Sequence, residues 1–101
     1  MKNTMSEQDG RLVTAFSGDF NNVASMQADK DLAPVFERTD CDVVLDCTEL
    51  SYISSSGLRI LLGIFKHTRS CGHKTMQKGL KDDVKEVFQL SGFLSLFVLE
   101  P

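Results

Sequence analysis

The chain has 101 residues, a net charge of −3 and a sequence pI near 5.2, enough for one domain and not for two. Hydrophobic residues make up 42% and charged residues 25%, ordinary proportions for a globular protein with a single core. The acidic balance, with Lys and Arg scattered rather than clustered, excludes the basic face that a nucleic-acid binder needs.

In chain order, a weak first strand over about residues 2–8 runs into Asp9-Gly10, a dipeptide that favours a tight hairpin turn. Arg11 to Ser17 returns as a strand, with Leu12, Thr14 and Phe16 facing one way and Val13 and Ala15 the other. Ser17 to Asn22 reads as a loop ending in helix-capping residues. A helical segment extends to about Arg38, its apolar face carrying Ala28, Leu32, Val35 and Phe36. Pro34 interrupts it, and two arrangements stay open: a kinked long helix, or a shorter one starting at Leu32 and capped by Asp31, with Pro34 in its first turn. Asp42 to Cys47 is the clearest strand, short, β-branched and nearly continuously apolar, as a buried parallel strand should be. Thr48 to Ser54 is expected to be a connection anchored by Leu50 and Ile53.

From about Ser56, Leu58, Leu61, Leu62 and Phe65 repeat at helical spacing, with Ile60 and Ile64 widening the stripe and Gly72 as the stop. This is the longest apolar stretch, yet it contains Arg59 and Gly63 and is far short of the ~20 residues of a membrane span. The N-terminus lacks an apolar signal core, so a cytoplasmic protein without membrane insertion is expected. Lys74 to Lys78 is a poor strand by composition but follows one helix after a buried strand, which implies a right-handed crossover and a parallel pair. Asp82 to Leu90 reads as a helix with Val84, Val87 and Phe88 inward. Phe93 to Phe97 reads as a short helical turn and Val98-Leu99 as extended chain. The order β-β-α-β-α-β-α predicts an α/β domain over 1–101, a mixed β-sheet with helices packed against it.

The three cysteines, Cys41, Cys47 and Cys71, are odd in number and unpaired in spacing, against a disulfide framework. His67, Cys71 and His73 lie close in sequence, but with no CxxC, no HExxH and no fourth ligand they read as a polar helix end, and no metal or cofactor is expected. Ligands of open α/β sheets sit beyond the carboxyl ends of strands. Here that junction is Tyr52-Ile53-Ser54-Ser55-Ser56-Gly57-Leu58. One serine would serve as a helix cap, leaving the role of the other two open. The run lacks the glycine of a GxSxG elbow, and the chain has no P-loop or GxGxxG, so no enzyme is expected.

The same segment resembles the core of the STAS family of anti-sigma factor antagonists. The apolar strand Val43-Val44-Leu45-Asp46, the motif Tyr52 to Leu58 and the helix Ile60-Leu61-Leu62 follow the family's order. Val84 to Phe93, Leu96-Phe97 and Ser17-Gly18-Asp19-Phe20-Asn21 are similar to further family segments. The resemblance implies a single STAS-like domain whose C-terminal family helix is missing. It implies phosphorylation at Ser55, with Ser54 and Ser56 as alternative acceptors, and a partner-binding surface of Asp19, Phe20, Asn21, Ser54, Ser55, Ser56, Gly57 and Arg59. It also implies the partners: an anti-sigma factor serine kinase that binds the unphosphorylated form, and a PP2C-type phosphatase that resets it. Two departures stand out, Ser54 where the family often has Asp before the acceptor serine, and Asn21 where it often has Asp in the early loop. The alternative implied by the resemblance is a constitutive STAS scaffolding module of a signalling or lipid-transport complex.

Overall fold

A computed structural model describes residues 1–38 and 40–90 and the backbone of 98–100. Five strands form one mixed sheet in the order β1-β2-β3-β4-β5, from β1 (Lys2–Gln8), β2 (Arg11–Phe20), β3 (Val43–Ile53), β4 (Thr75–Lys78) and β5 (Val98–Glu100). β1 and β2 are antiparallel, and the other three pairings are parallel. The turn between β1 and β2 has positive φ at both Asp9 (55°) and Gly10 (76°). That backbone twists in the same sense as the strands it joins, which is why Asp-Gly serves there.

Among the described residues four helices accompany the sheet: α1 (Asn22–Asp31), α2 (Ala33–Glu37), α3 (Ser55–Ser70) and α4 (Asp82–Leu90). The helical segment containing Pro34 is therefore two helices. Leu32, not Asp31, stands between them as the C-cap of α1 and N-cap of α2, with no side-chain cap bond, and Pro34 falls in the first turn of α2, where its missing N–H costs nothing. Asp31 instead accepts a hydrogen bond from Gln27 Nε2.

The core lies on the face of the sheet that carries Leu12, Thr14 and Phe16 of β2 and Val43, Leu45 and Cys47 of β3. Ala28, Leu32 and Val35 close it from α1 and α2, Leu58, Leu61 and Ile64 from α3, and Val84 and Phe88 from α4. Several expected inward residues are covered less completely, Phe65 and Val87 being half-buried. Phe36 is 40% exposed, because the break at Leu32 rotates α2 away from the line of α1. Along α3 the buried stripe is Leu58, Leu61, Ile64 and Thr68, and Leu62 is only half-buried.

Both early strands run longer than the sequence predicts. β2 continues through Ser17 to Phe20, and β3 continues through the expected connection to Ile53. The parallel register explains the difference. Ala15 pairs with Asp46 but Ser17 with Glu49, and Gly18 with Leu50 but Asp19 with Tyr52, so β3 twice takes an extra residue. Each bulge breaks the alternation by which a strand is recognised. β4 is a strand where its position requires one, with Thr75, Met76 and Gln77 all buried. The helical turn expected over Phe93 to Phe97 lies outside the described residues.

Candidate functional site

The parallel pairing of β2 and β3 delivers their carboxyl ends to one edge, where Phe20 and Ile53 form the last pair. Beyond it the chain enters α1 on one side and α3 on the other, and Ser54 N donates to Phe20 O at 2.8 Å. Two helix N-termini thus lie side by side. Asn21 caps α1, its Oδ1 accepting from Ala24 N at 2.9 Å. Ser54 caps α3, with extended backbone (φ −85°, ψ 169°) and an Oγ that accepts from Gly57 N at 3.2 Å. Neither helix has an acidic residue in its first turn, so neither positive dipole end has a carboxylate of its own helix against it.

The three serines of the motif occupy three different environments. Ser54 is 8% exposed and, besides capping, has its Oγ 2.9 Å from Ser56 Oγ. Ser56 donates to Asn22 Oδ1 at 2.6 Å and lies 3.0 Å from Ser25 Oγ, which itself is 2.9 Å from Asn21 O. A hydroxyl carries one proton. The protons of Ser25, Ser54 and Ser56 are therefore shared among those four contacts, and with Ser56 donating to Asn22 the Ser25 proton divides between Asn21 O and Ser56. Ser55, the first residue of α3, is exposed, and its hydroxyl has no hydrogen-bond partner among the described residues. Among the described residues no imidazole or carboxylate is hydrogen-bonded to it as a base would be.

Beneath this surface Phe20 is wholly buried, its ring 5.6 Å from that of Phe16. Gly57 sits on Phe20 and Ile53 so closely that a Cβ there would lie 2.9 Å from Ile53 Cγ1 and 3.0 Å from the Phe20 ring. Phe20 and Gly57 therefore shape the surface from below and present no side chain on it. Asp19, Asn21 and Arg59 are exposed around its rim. Arg59 makes no ion pair among the described residues.

Residues absent from the sequence expectation also belong here. Asn22 and Ser25 join the hydroxyl network from α1, with no local signal, because Ser56 lies 34 and 31 residues further along the chain. Val23 and Met26, each 76% exposed, do carry a signal: both fall off the Ala28–Leu32–Val35 stripe of a helix whose inner face was legible. A groove of about 600 Å³ runs from the network between α1 and α3, walled by Met26, Leu32, Phe36 and Ile60, with Asp29 and Arg59 as its charged residues.

His67, Cys71 and His73 do not converge. His67 Nε2 is 2.8 Å from Arg38 O with its ring against Phe36, and His73 Nδ1 is 3.3 Å from Asp42 Oδ1. Among the described residues no three His, Cys, Asp or Glu side chains are grouped to hold a metal. Cys47 is wholly buried, and burial pushes its thiol up to about 12, so it is no nucleophile at neutral pH. No helix among the described residues is long and apolar enough to cross a membrane.

This arrangement, a mixed sheet with a capped serine motif at the strand-to-helix junction, is that of a STAS domain. The model of the STAS domain family matches residues 3–101, and the chain belongs to that family. It is 40% identical over 97 residues to a Bordetella bronchiseptica protein, BtrV, whose name proposes it as an anti-sigma factor antagonist; the match covers 96% of this chain and 84% of BtrV. Among solved structures, an anti-sigma factor antagonist from Mycobacterium paratuberculosis superposes with a TM-score of 0.83 at 20% identity, covering 99% of this chain and 85% of that one. The Bacillus cell fate determinant SpoIIAA in its phosphorylated form gives 0.73 at 17% identity, covering 99% and 92%. At these identities the two structures speak to the fold.

Proposed function

We propose that this chain is an anti-sigma factor antagonist that acts as a phosphorylation-gated protein-binding switch. Unphosphorylated at Ser55, it binds an anti-sigma factor serine kinase; phosphorylated, it does not, and a PP2C-type phosphatase restores the binding form. The kinase would transfer the γ-phosphoryl group of ATP to Ser55 Oγ, forming the new O–P bond as ADP leaves and the hydroxyl proton passes to the kinase's base. The phosphatase would hydrolyse that bond to free hydroxyl and phosphate.

The observation that carries the reading is the contrast within the motif. Ser54 and Ser56 are tied into hydrogen bonds, whereas Ser55 is exposed with a free hydroxyl. Phosphorylation adds roughly −1.5 to −2 charges at pH 7. At the first residue of α3 that charge meets unfilled N–H groups and the positive dipole end, so the domain accepts it. A partner packed on the same surface would have to strip water from a phosphate and is displaced. Asp19, Asn21, Ser54, Ser55, Ser56 and Arg59 would form the contact surface, supported by Phe20 and Gly57.

Intact-mass analysis and peptide mapping of the protein from its native cells test this directly. One phosphate on Ser55, with a serine kinase retained by Ser55→Ala and lost by Ser55→Asp, is the expected result. A chain that carries no phosphate on Ser54, Ser55 or Ser56 under any growth condition would be a constitutive binding module, with no gate.

A further inference from the structure

Arg59 is the cation of the expected surface, and its charge has no partner among the described residues. It stands one helical turn after Ser55 on α3, exposed, without an ion pair among the described residues. Residues four apart lie on the same helix face, roughly 5–6 Å between Cβ atoms. Side chains on a helix lean toward its N-terminus, so a group added to Ser55 comes within reach of an arginine one turn later, which here lines the groove beside Ser56. An anionic group four residues before a cation is also the favoured order along a helix. The surroundings leave the place open: among the described residues Ser55 has no hydrogen-bond partner, the Ser54 hydroxyl is already engaged as the cap, and the first turn of α3 holds no acid.

We infer that Arg59 is a phosphate clamp: when Ser55 is phosphorylated, the Arg59 guanidinium pairs with the phosphoryl oxygens within the same chain. The inference rests on Ser55 as the acceptor and adds a second function to the pair. Unphosphorylated, Arg59 is a free cation on the partner-facing surface. Phosphorylated, its fork of donors is turned onto the phosphate, so a single modification withdraws a positive charge from the partner while adding a negative one. Arg59 acts as a positioning residue on the modified side chain and takes no part in the transfer itself.

The test uses the full chain with phosphoserine inserted at position 55 during translation, as wild type, Arg59→Lys and Arg59→Ala. Phosphorus NMR titration between pH 4 and 8 reads the second ionisation of the phosphate. The helix N-terminus acts on all three proteins alike, so the difference between them isolates the side chain. The wild-type midpoint should lie below that of Arg59→Ala by about 0.3–0.5 pH units at low salt, with most of the gap removed at 1 M salt. Arg59→Lys should fall between them, because an ammonium supplies charge without the fork. Equal midpoints for wild type and Arg59→Ala would overturn the clamp. The two readings fail separately: absence of phosphate on Ser55 in native cells removes the gate and leaves the titration as measured, whereas equal midpoints beside a phosphorylated native protein remove the clamp alone.

Discussion

The two ends of the sheet handle their polar groups in opposite ways. At the amino ends of the parallel strands, charges are matched. Arg38 pairs with Glu7 and with Asp40, its guanidinium also meets Cys41 Sγ at 3.4 Å, His67 Nε2 meets Arg38 O, and Asp42 accepts from Lys74 N beside His73. Mutual hydrogen bonding holds the Arg38 guanidinium more firmly protonated and draws Asp40 below the usual carboxylate range. At the carboxyl ends the network is of neutral hydroxyls and amides, and the two side chains best placed to meet a partner, Ser55 and Arg59, are left unengaged. Matched charges fasten α2, β1 and the β3 and β4 entries to one another. Unmatched ones are available to another molecule, and because the hydrogen-bond network beside Ser55 is of neutral groups, one added phosphate would change the charge of that surface substantially.

That division is open to attack in order of expected effect. The largest lies under the proposed contact surface and not on it: Phe20→Ala should lose about 3–5 kcal/mol, read as a fall in the urea midpoint at constant slope, because the ring is fully enclosed. If Phe20→Ala instead left stability intact and abolished partner binding, Phe20 would be a contact residue and the layering of the site would be wrong. Next, Ser54→Ala should cost about 1 kcal/mol through loss of the α3 cap, while Ser55→Ala stays within about 0.5 kcal/mol of wild type. Equal costs for the two would erase the distinction between a structural and a free serine. The smallest effect belongs to the opposite end. Asp40 has a folded pKa below its ordinary 3.8, so what it contributes is present above that value and lost as the pH falls through the lowered one. The stability gap between wild type and Asp40→Asn should therefore be constant from pH 7 to about 5 and close below about pH 4. A gap that persisted into acid would mean that Arg38 is not what holds Asp40 ionised.

How much of this was legible in the sequence depended on whether the governing interaction was local. The capping serine, the hairpin at Asp9-Gly10 and the stripe Leu58–Leu61 are decided by neighbours within one turn, and all could be read. The far half of β3 could not. Its two bulges leave Leu50 and Ile53 buried three apart, with Glu49, Ser51 and Tyr52 exposed, which matches neither strand nor helix spacing. β4 was legible from its position and not from its composition: Gln77 is fully buried with no hydrogen-bond partner for its amide among the described residues, an arrangement that runs against expected burial. At the site, the motif drew attention to its three serines, but the hydrogen bonds that tie Ser56 and, through it, Ser54 depend on Asn22 and Ser25 across a helix pair. Only packing reveals that.

The Asp9-Gly10 hairpin also bears on how fast the domain assembles. Met5 finds Thr14 across a two-residue turn, so the first pair of strands can zip within microseconds. Every later pairing is parallel and waits on a helical crossover, beginning with Leu12 beside Val43 and ending with Met76 beside Val98. Loop closure of that kind sets the rate in sheets of high contact order. The junction bearing Ser55 forms only once β2 and β3 have met, so the exposed Ser55 hydroxyl is a late product of folding, and the proposed kinase would meet it only on a chain that has already reached its native topology.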